Sequence, residues 1–299
     1  MNTNILGFFI IFSIFLVLPN ADAQLSIGGK AQQELVEIII DSEGIVKVKH
    51  VIDSSNMPSQ MNFIKGTISD ISVITETGTK LQSNMIGENT GLLILPSSEK
   101  TIVEYNIEDV LFQKNGLWKW DFRYLETTTF IIPEEVDLLF VNERPLYLQE
   151  DEKGFRCHGC NVVLEYSIDE TKHFEEVTWE DKTFVVEIRT LTEINDFTFS
   201  QPEKKLSFSV PEDHQFITVV IPLELLWEPY VVLIDDEQIV HYQFFEDDKH
   251  AWLNLRPDSA GEVSIIGTTV VPEFPLIAPL ALGLIIVLGV PLLRKINLR

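Results

Sequence analysis

A turn signal divides residues 109–124, whose sequence is DVLFQKNGLWKWDFRY. The dipeptide Asn115-Gly116 suits the left-handed backbone of a type I′ turn, which joins the two strands of a β-hairpin. In the second arm, aromatic side chains from Trp118 to Tyr124 alternate with charged ones. This period of two predicts an antiparallel strand with one buried face and one charged, solvent-facing side. Core packing is favoured over a sugar-binding platform for the aromatic row, because aromatic residues dominate sandwich cores.

Runs of β-branched and aromatic residues recur along most of the chain. A first group lies before Asn142, and a last group has seven short runs between Asp196 and Gly267. Gly, Pro, Asn and Asp separate the runs, and these residues favour turns. Seven alternating strands in one stretch are typical of an immunoglobulin-like sandwich. Because no segment between the two chain ends has a sustained helical period, we expect an all-β fold with two antiparallel β-sandwich (immunoglobulin-like) domains in tandem.

The N-terminal end carries an apolar run from Ile5 to Leu18. Small residues at Ala21 and Ala23 follow, a pattern typical of a secretory signal peptide that is cleaved after Ala23. The preceding segment MNTN has no Lys or Arg, so an uncleaved N-terminal membrane anchor is the alternative.

The C-terminal end has no ionisable residue from Phe274 to Leu293. A helix rises ~1.5 Å per residue, so this stretch is long enough for the ~30 Å hydrocarbon core of a bilayer. Three cations follow it, at Arg294, Lys295 and Arg299. Cationic flanks stay in the cytoplasm, so the sequence predicts one C-terminal transmembrane helix in the cell membrane with an extracellular ectodomain.

The tail also contains a short motif, Pro272-Glu273-Phe274, directly before the apolar stretch. With the apolar stretch and Arg294-Lys295, it resembles the tripartite sorting signals of archaeal surface proteins. That resemblance implies recognition by an archaeosortase-like transpeptidase and replacement of the tail by a lipid. Pro275 stands where several variants have Gly, and a plain transmembrane anchor is the alternative.

Residues 206–268 resemble the membrane-proximal module of other archaeal surface proteins, a stalk-like module without catalytic residues. The matching segments are Leu206–Val210, Ile221–Leu226, Pro229–Asp235 and Gly267-Thr268.

These features divide the chain into seven expected regions. The N-terminal and membrane-proximal sandwiches are separated by a segment that holds both cysteines and two further strands, which either close the first sandwich or bridge the two domains. The expected regions are a signal peptide (1–23), an N-terminal sandwich (24–142), a bridging segment (143–190), an immunoglobulin-like sandwich (191–268), a sorting motif (269–275), a transmembrane helix (276–293) and a basic tail (294–299).

The net charge of the chain is −24 at pH 7. Leaving out the three tail cations gives −27 for residues 1–293 (−24 − 3). Nucleic-acid binding requires a basic surface, so a nucleic-acid partner is excluded for so acidic an ectodomain.

The two cysteines, Cys157 and Cys160, flank His158 in the segment RCHGCN. Outside a cell, two neighbouring thiols usually form a disulfide. The alternatives are a copper or zinc site that uses Cys157, His158, Cys160 and His173 as ligands, and a redox-active dithiol. Apart from this possible metal, no cofactor is predicted.

The chain contains no G-x-S-x-G, H-E-x-x-H, P-loop or G-x-G-x-x-G motif. The leading interpretation is therefore a non-enzymatic, membrane-anchored envelope protein with a structural, adhesion or partner-docking role. Its expected partners are the membrane, other envelope proteins and a sortase-like enzyme. The alternatives are an extracellular metal- or cation-binding protein centred on Cys157-His158-Cys160, and a secreted hydrolase whose carboxylates come together only in the folded protein.

Overall fold

The computed structural model describes residues 28–148, 153–179, 181–244 and 247–268. These ranges contain 25 strands and no helix, so the prediction of an all-β protein is confirmed for them. None of them therefore includes a helical segment long and apolar enough to cross a bilayer. The predicted signal peptide, sorting motif (Pro272, Glu273 and Phe274), transmembrane helix and basic tail (Arg294, Lys295 and Arg299) lie outside the described residues.

The first fifteen strands form one unit, called here the first module. In chain order they are β1 Gly29–Lys30, β2 Gln33–Ile40, β3 Val46–Ile52, β4 Ser59–Asn62, β5 Thr67–Thr75, β6 Ser83–Ile86, β7 Gly91–Ile94, β8 Thr101–Glu108, β9 Phe112–Lys114, β10 Leu117–Tyr124, β11 Thr128–Ile131, β12 Leu138–Val141, β13 Arg144–Tyr147, β14 Gly154–Cys157 and β15 Cys160–Ser167.

The first module contains three sheets that share one core. Their strand orders are β14-β11-β2-β3-β8-β5, β13-β12-β15-β10-β9 and β1-β4-β7-β6. Side chains from all three sheets meet in one apolar cluster, for example Ile38, Phe122 and Met61. Two pairs, β1 with β4 and β2 with β11, are parallel. The prediction of a purely antiparallel sandwich is therefore wrong for this module, because the run pattern gives the strands but not the long crossover connections that bring parallel partners together.

The second module consists of two five-stranded sheets, with all strand pairs antiparallel. A separate apolar cluster lies between its strands. The orders are β16-β17-β20-β24-β23 and β18-β19-β25-β21-β22. The strands are β16 Thr171–Trp179, β17 Lys182–Thr190, β18 Asn195–Ser200, β19 Lys205–Val210, β20 Ile217–Pro222, β21 Val231–Ile234, β22 Glu237–Gln238, β23 His241–Phe244, β24 His250–Leu255 and β25 Gly261–Ile266.

The segment 143–190 is not a separate bridge as predicted, since its strands are shared between the two modules. Strands β13, β14 and β15 complete sheets of the first module, whereas β16 and β17 form one side of a sheet in the second. The second module therefore has ten strands among the described residues. Eight of them, β18 to β25, cover the stretch from Asp196 to Gly267 in which seven were expected.

The hairpin predicted from Asn115-Gly116 is confirmed. Both residues have positive φ, 51° and 81°, as a type I′ turn requires. In β10, the side chains of Trp120, Phe122 and Tyr124 are buried, and the charged residues between them are exposed. The aromatic row therefore packs in the core.

An aromatic and ionic contact joins the two modules. Phe140 of the first stacks on Phe216 of the second with ring centroids 3.7 Å apart. The Arg256 guanidinium lies 4.5 Å from the centre of the Phe216 ring. The same guanidinium lies 3.5 Å from the buried carboxylate of Glu165. Leu117, the residue just after the hairpin turn, packs against the same cluster. The modules are thus held together by desolvated rings and a buried charge.

Replacing Phe216 with alanine is expected to separate the unfolding of the two modules. Removing a buried phenylalanine lowers the free energy of unfolding by about 3 kcal/mol. Calorimetry of the variant should show a broader transition in which the two modules begin to unfold separately, because the stack at Phe216 is lost while the contacts of Tyr147 with Phe244 and Trp252 remain. Phe174→Ala, at an exposed position of the same module, is the control and should keep the wild-type profile. A Phe216→Ala profile identical to wild type would contradict the coupling.

Candidate docking groove

A groove of about 910 Å³ opens on the first module. Strand β10 and the residues that follow it form one wall, residues 60–66 form the opposite wall, and residues 109–112 close one end. The groove therefore lies between two sheets of the module.

The groove exists because the two arms of the hairpin differ in length. Strand β10 pairs with β15 along its whole length, from Leu117 to Tyr124. On its other side β9 pairs only with Leu117–Lys119. The chain before β9 turns away at Asp109, which has a left-handed φ of 59°. In the described part of the chain, no strand occupies the position beside residues 120–124.

The open side of β10 presents backbone hydrogen-bonding groups to the groove. Lys114 and Leu117 flank a two-residue turn, so they form a hydrogen-bonded pair. Alternate residues of an antiparallel strand bond to the same side. The N–H and C=O groups of Asp121 and Arg123 are therefore directed into the groove, while those of the residues between them bond to β15.

The groove has an apolar floor and apolar ends. Phe63, Ile64 and Val110 line it together with the rings of β10. At its rim, the side chain of Phe112 is 63% exposed and that of Leu125 is 74% exposed. Such large exposed side chains beside an apolar cleft are typical of interaction surfaces.

A buried hydrogen-bond network fixes the wall opposite β10. His50, which is fully buried, donates from Nδ1 to Gln33 Oε1 (2.6 Å) and accepts at Nε2 from the Tyr105 hydroxyl (2.8 Å). The Tyr105 oxygen accepts the backbone N–H of Ile64 (3.2 Å). Burial lowers the pKa of His50 to about 3, so the imidazole is neutral at physiological pH. The network therefore holds the groove wall in place and supplies no charged group.

A second link crosses the groove floor. The Tyr124 hydroxyl donates to the backbone carbonyl of Asn62 (2.9 Å) and accepts from Gln33 Nε2 (3.1 Å). The bond from Tyr124 to Asn62 joins the end of β10 to the opposite wall. This bond and the bond from Ile64 to Tyr105 together fix the width of the groove.

The charged residues of the groove lie on its rim. Four cations and three carboxylates line it, in a chain with 22 cations and 46 acids. Lys30 forms an ion pair with Glu126, and Asp109 accepts a hydrogen bond from Thr67 (3.2 Å). Asp121 and Arg123 are exposed side by side on the outer face of β10. The groove is locally near-neutral, unlike the chain as a whole.

Cys157 and Cys160 form the predicted disulfide, with their Cα atoms 5.7 Å apart. Cys157 ends β14 and Cys160 begins β15, so the bond joins two sheets at one end of the sandwich. His158 lies in the turn between them and contacts Thr127 (2.7 Å), whereas His173 lies in β16 of the second module. Bonded sulfurs are not thiolate ligands, and the described residues contain no group of three or more His, Cys, Asp or Glu side chains arranged to hold a metal ion.

Replacing both cysteines with serine is expected to lower the free energy of unfolding by about 2 kcal/mol, because a disulfide across so short a loop restricts the unfolded chain only modestly. Urea titration of Cys157→Ser/Cys160→Ser measures this. Wild type treated with a reducing agent is the matched control and should lose the same amount. Alkylation of both thiols in native protein without prior reduction would contradict the bond.

Sequence reasoning missed the groove, although one signal for it was present. The sequence predicts a first hairpin arm over residues 109–114, whereas only Phe112–Lys114 form a strand. Asp109 at the start of that arm is a residue type that tolerates left-handed backbone, which could have indicated the early turn.

Comparisons with known proteins give no family assignment. No protein-family model matches the chain, and no curated protein matches it. The crystal structure of an aminopeptidase N family protein from Idiomarina loihiensis is similar over 50% of this chain and 32% of that chain, with a TM-score of 0.34 and 11% sequence identity. At this TM-score the similarity carries no assignment of family or activity.

Proposed function

We propose that this is a membrane-anchored cell-surface protein whose first module docks a partner in the groove beside β10. The observation that carries the docking role is the open edge of β10 over residues 120–124, next to an apolar floor. An unpaired strand edge beside apolar residues is a binding surface for another chain.

The proposed location at the cell surface rests on the sequences of the two chain ends. The apolar N-terminal run with Ala21 and Ala23 supports secretion, and the uncharged stretch before Arg294 supports a single-pass anchor. The second module, which we describe as immunoglobulin-like only in having two packed antiparallel sheets, would stand between the anchor and the groove. Processing at Pro272-Glu273-Phe274 by a sortase-like enzyme is part of this proposal.

The two alternative functions are less well supported. A copper or zinc site at Cys157-His158-Cys160 would require reduction of the disulfide. A hydrolase is favoured by one observation, namely the three carboxylates Asp109, Asp121 and Glu126 on the groove rim. Two of these are already engaged by Thr67 and Lys30. Hydrolysis of a glycan or peptide panel that Asp121→Asn abolishes would establish the hydrolase instead.

Site-specific photo-crosslinking on intact cells tests the docking role. A photoreactive phenylalanine analogue at position 112 should form a discrete crosslinked species. The same analogue at position 240, in a loop of the second module where Val240 is 74% exposed, is the control and should not. Identical crosslinking patterns at the two positions would refute docking at the groove.

Mutation of the C-terminal apolar stretch tests whether it anchors the protein in the membrane. Two aspartates at Leu284 and Leu288 oppose membrane insertion by about 5–7 kcal/mol, so the variant should leave the membrane fraction. Replacing the exposed residues Phe174 and Val240 with aspartate adds the same charge outside the anchor and should leave retention unchanged. Mass spectrometry of the mature C-terminus separates the two anchors: peptides beyond Phe274 are missing after processing and intact in a plain transmembrane anchor.

A further inference from the structure

We infer that the groove takes one extended peptide segment of a partner protein, which adds to β10 as an antiparallel strand and carries an acidic–apolar–basic sequence at its centre. This inference rests on the proposed docking function and specifies the ligand. The occupant is an unfolded or terminal stretch of another polypeptide.

The backbone of β10 sets the conformation of the ligand. The N–H and C=O groups of Asp121 and Arg123 are spaced for a strand and face the groove, where no described strand meets them. An extended chain satisfies all four groups at once. The preceding stretch of β10 already pairs with an antiparallel strand, β9, so a ligand with the same direction continues the line of β9.

The outward side chains of β10 set the charge order. Residues directly opposite each other on an antiparallel pair interact, and opposite charges stabilise the pair. Arg123 therefore favours an acidic ligand residue, and Asp121 favours a basic one two positions later. In the parallel direction the same ligand would place like charges together, so the charges also select the orientation.

The inward ligand positions meet the apolar floor. Residues opposite Trp120, Phe122 and Tyr124 point to the same side as these rings. There they lie over Phe63, Ile64 and Val110, which line the groove. β-Branched residues suit these positions because they pack well on a pleated surface.

A single strand fits the groove better than a second folded copy of the chain. The wall formed by residues 62–66 faces β10, so the space beside the open edge is bounded on both sides. A second copy would have to bring the sheet behind its own β10 into this space. However, the sequence Asp121-Phe122-Arg123 itself has the acidic–apolar–basic order, so self-association is an outcome that the experiment must distinguish.

Peptide binding to the full-length protein in detergent tests the inference. The probe is a fluorescent peptide of sequence Ser-Val-Glu-Val-Lys-Val-Ser, and the control peptide exchanges Glu and Lys. Two reversed cross-strand ion pairs should weaken binding about five- to tenfold. The variant Asp121→Arg/Arg123→Asp should reverse the preference and bind the control peptide more tightly by the same factor, which a folding defect would not produce.

Backbone methylation separates strand addition from apolar adsorption. N-methylation of Glu or Lys removes an N–H that bonds to β10 and should abolish binding. N-methylation of the central Val, whose N–H points away from β10, should weaken binding far less. Equal affinities for all these peptides overturn the inference.

Two further outcomes are decisive. Peptide binding without a crosslink at position 112 on cells would support the proposed ligand chemistry and refute the docking function. A crosslink at position 112 without peptide binding would support the docking function and refute the proposed ligand chemistry. A concentration-dependent dimer that Arg123→Asp abolishes, without peptide binding, would assign the groove to a second copy of the chain.

Discussion

Acidification from pH 6.5 to pH 3 is expected to remove up to about 4–5 kcal/mol of stability through the single residue His50. Its folded-state pKa is lowered from 6.5 to about 3 by burial. Between these two values the unfolded chain binds a proton that the folded chain does not. The contribution is therefore fully present above pH 6.5 and is lost as the pH falls towards 3.

The measurement is a series of urea titrations of wild type and His50→Gln between pH 7 and pH 4. The variant should be less stable at pH 7, because the Tyr105 and Gln33 bonds are altered, by about 1–3 kcal/mol. The difference in unfolding free energy from wild type should shrink as the pH falls, because wild type loses the contribution of His50 while glutamine does not titrate. Val263→Ala, at a fully buried position of the second module, removes neither the titrating group nor a partner of it, and its loss of unfolding free energy should stay constant with pH. A constant deficit for His50→Gln as well would contradict the prediction.

Glu170 acts in the opposite direction and has to be separated from His50. Burial raises the pKa of this carboxyl from 4.5 to about 7. The stability it contributes is present below pH 4.5 and is lost as the pH rises towards 7. In wild type, the effects of the two groups on the free energy of unfolding partly cancel as the pH changes. The contribution of His50 is therefore measured as the difference in unfolding free energy between wild type and His50→Gln at each pH.

Replacing Phe122 with alanine is expected to lower the free energy of unfolding by about 3–5 kcal/mol. The ring is fully buried and makes edge contacts with Trp120 (5.1 Å between centroids) and Phe130 (4.8 Å). Its removal leaves a cavity under the groove floor that neighbouring rings fill only in part. Chemical denaturation of the full-length protein measures the loss.

Phe112→Ala is the matched control for this prediction. It removes the same side chain from the rim of the same groove, where it is exposed, and should change stability by about 0.5 kcal/mol or less. The two variants separate the floor of the groove, which is part of the core, from its rim, which is available to a ligand. Equal losses for both would mean that the rim residue also packs in the core.

Strands with a clear period of two were predictable from the sequence, because burial of one face imposes that period directly. Strand β10 and the Asn115-Gly116 turn are the best examples, and both match the structure. Strand β16 was missed because its sequence TKHFEEVTW has few apolar residues. It lies at the edge of its sheet, where one side of the strand has no neighbour and polar residues are tolerated.

The groove could not be predicted because it depends on contacts between distant residues. Tyr124 reaches Asn62 and His50 reaches Tyr105, across sequence separations of 62 and 55 residues. His50 reads from sequence alone as an ordinary strand residue. The disulfide, by contrast, followed from two neighbouring cysteines and the expected extracellular address, which are both local features of the chain.

The position of the hairpin turn has a mechanical consequence. Leu117, one residue after the turn, belongs to the contact between the modules, while residues 120–124 of the same strand border the groove. A pull on a partner strand added to β10 would load its hydrogen bonds in shear, along the strand axis. The same strand would then carry the tension through β15 and the Phe140–Phe216 stack into the second module. Hydrogen bonds loaded in this direction would share the load, whereas bonds at a strand end that is pulled sideways would break one after another.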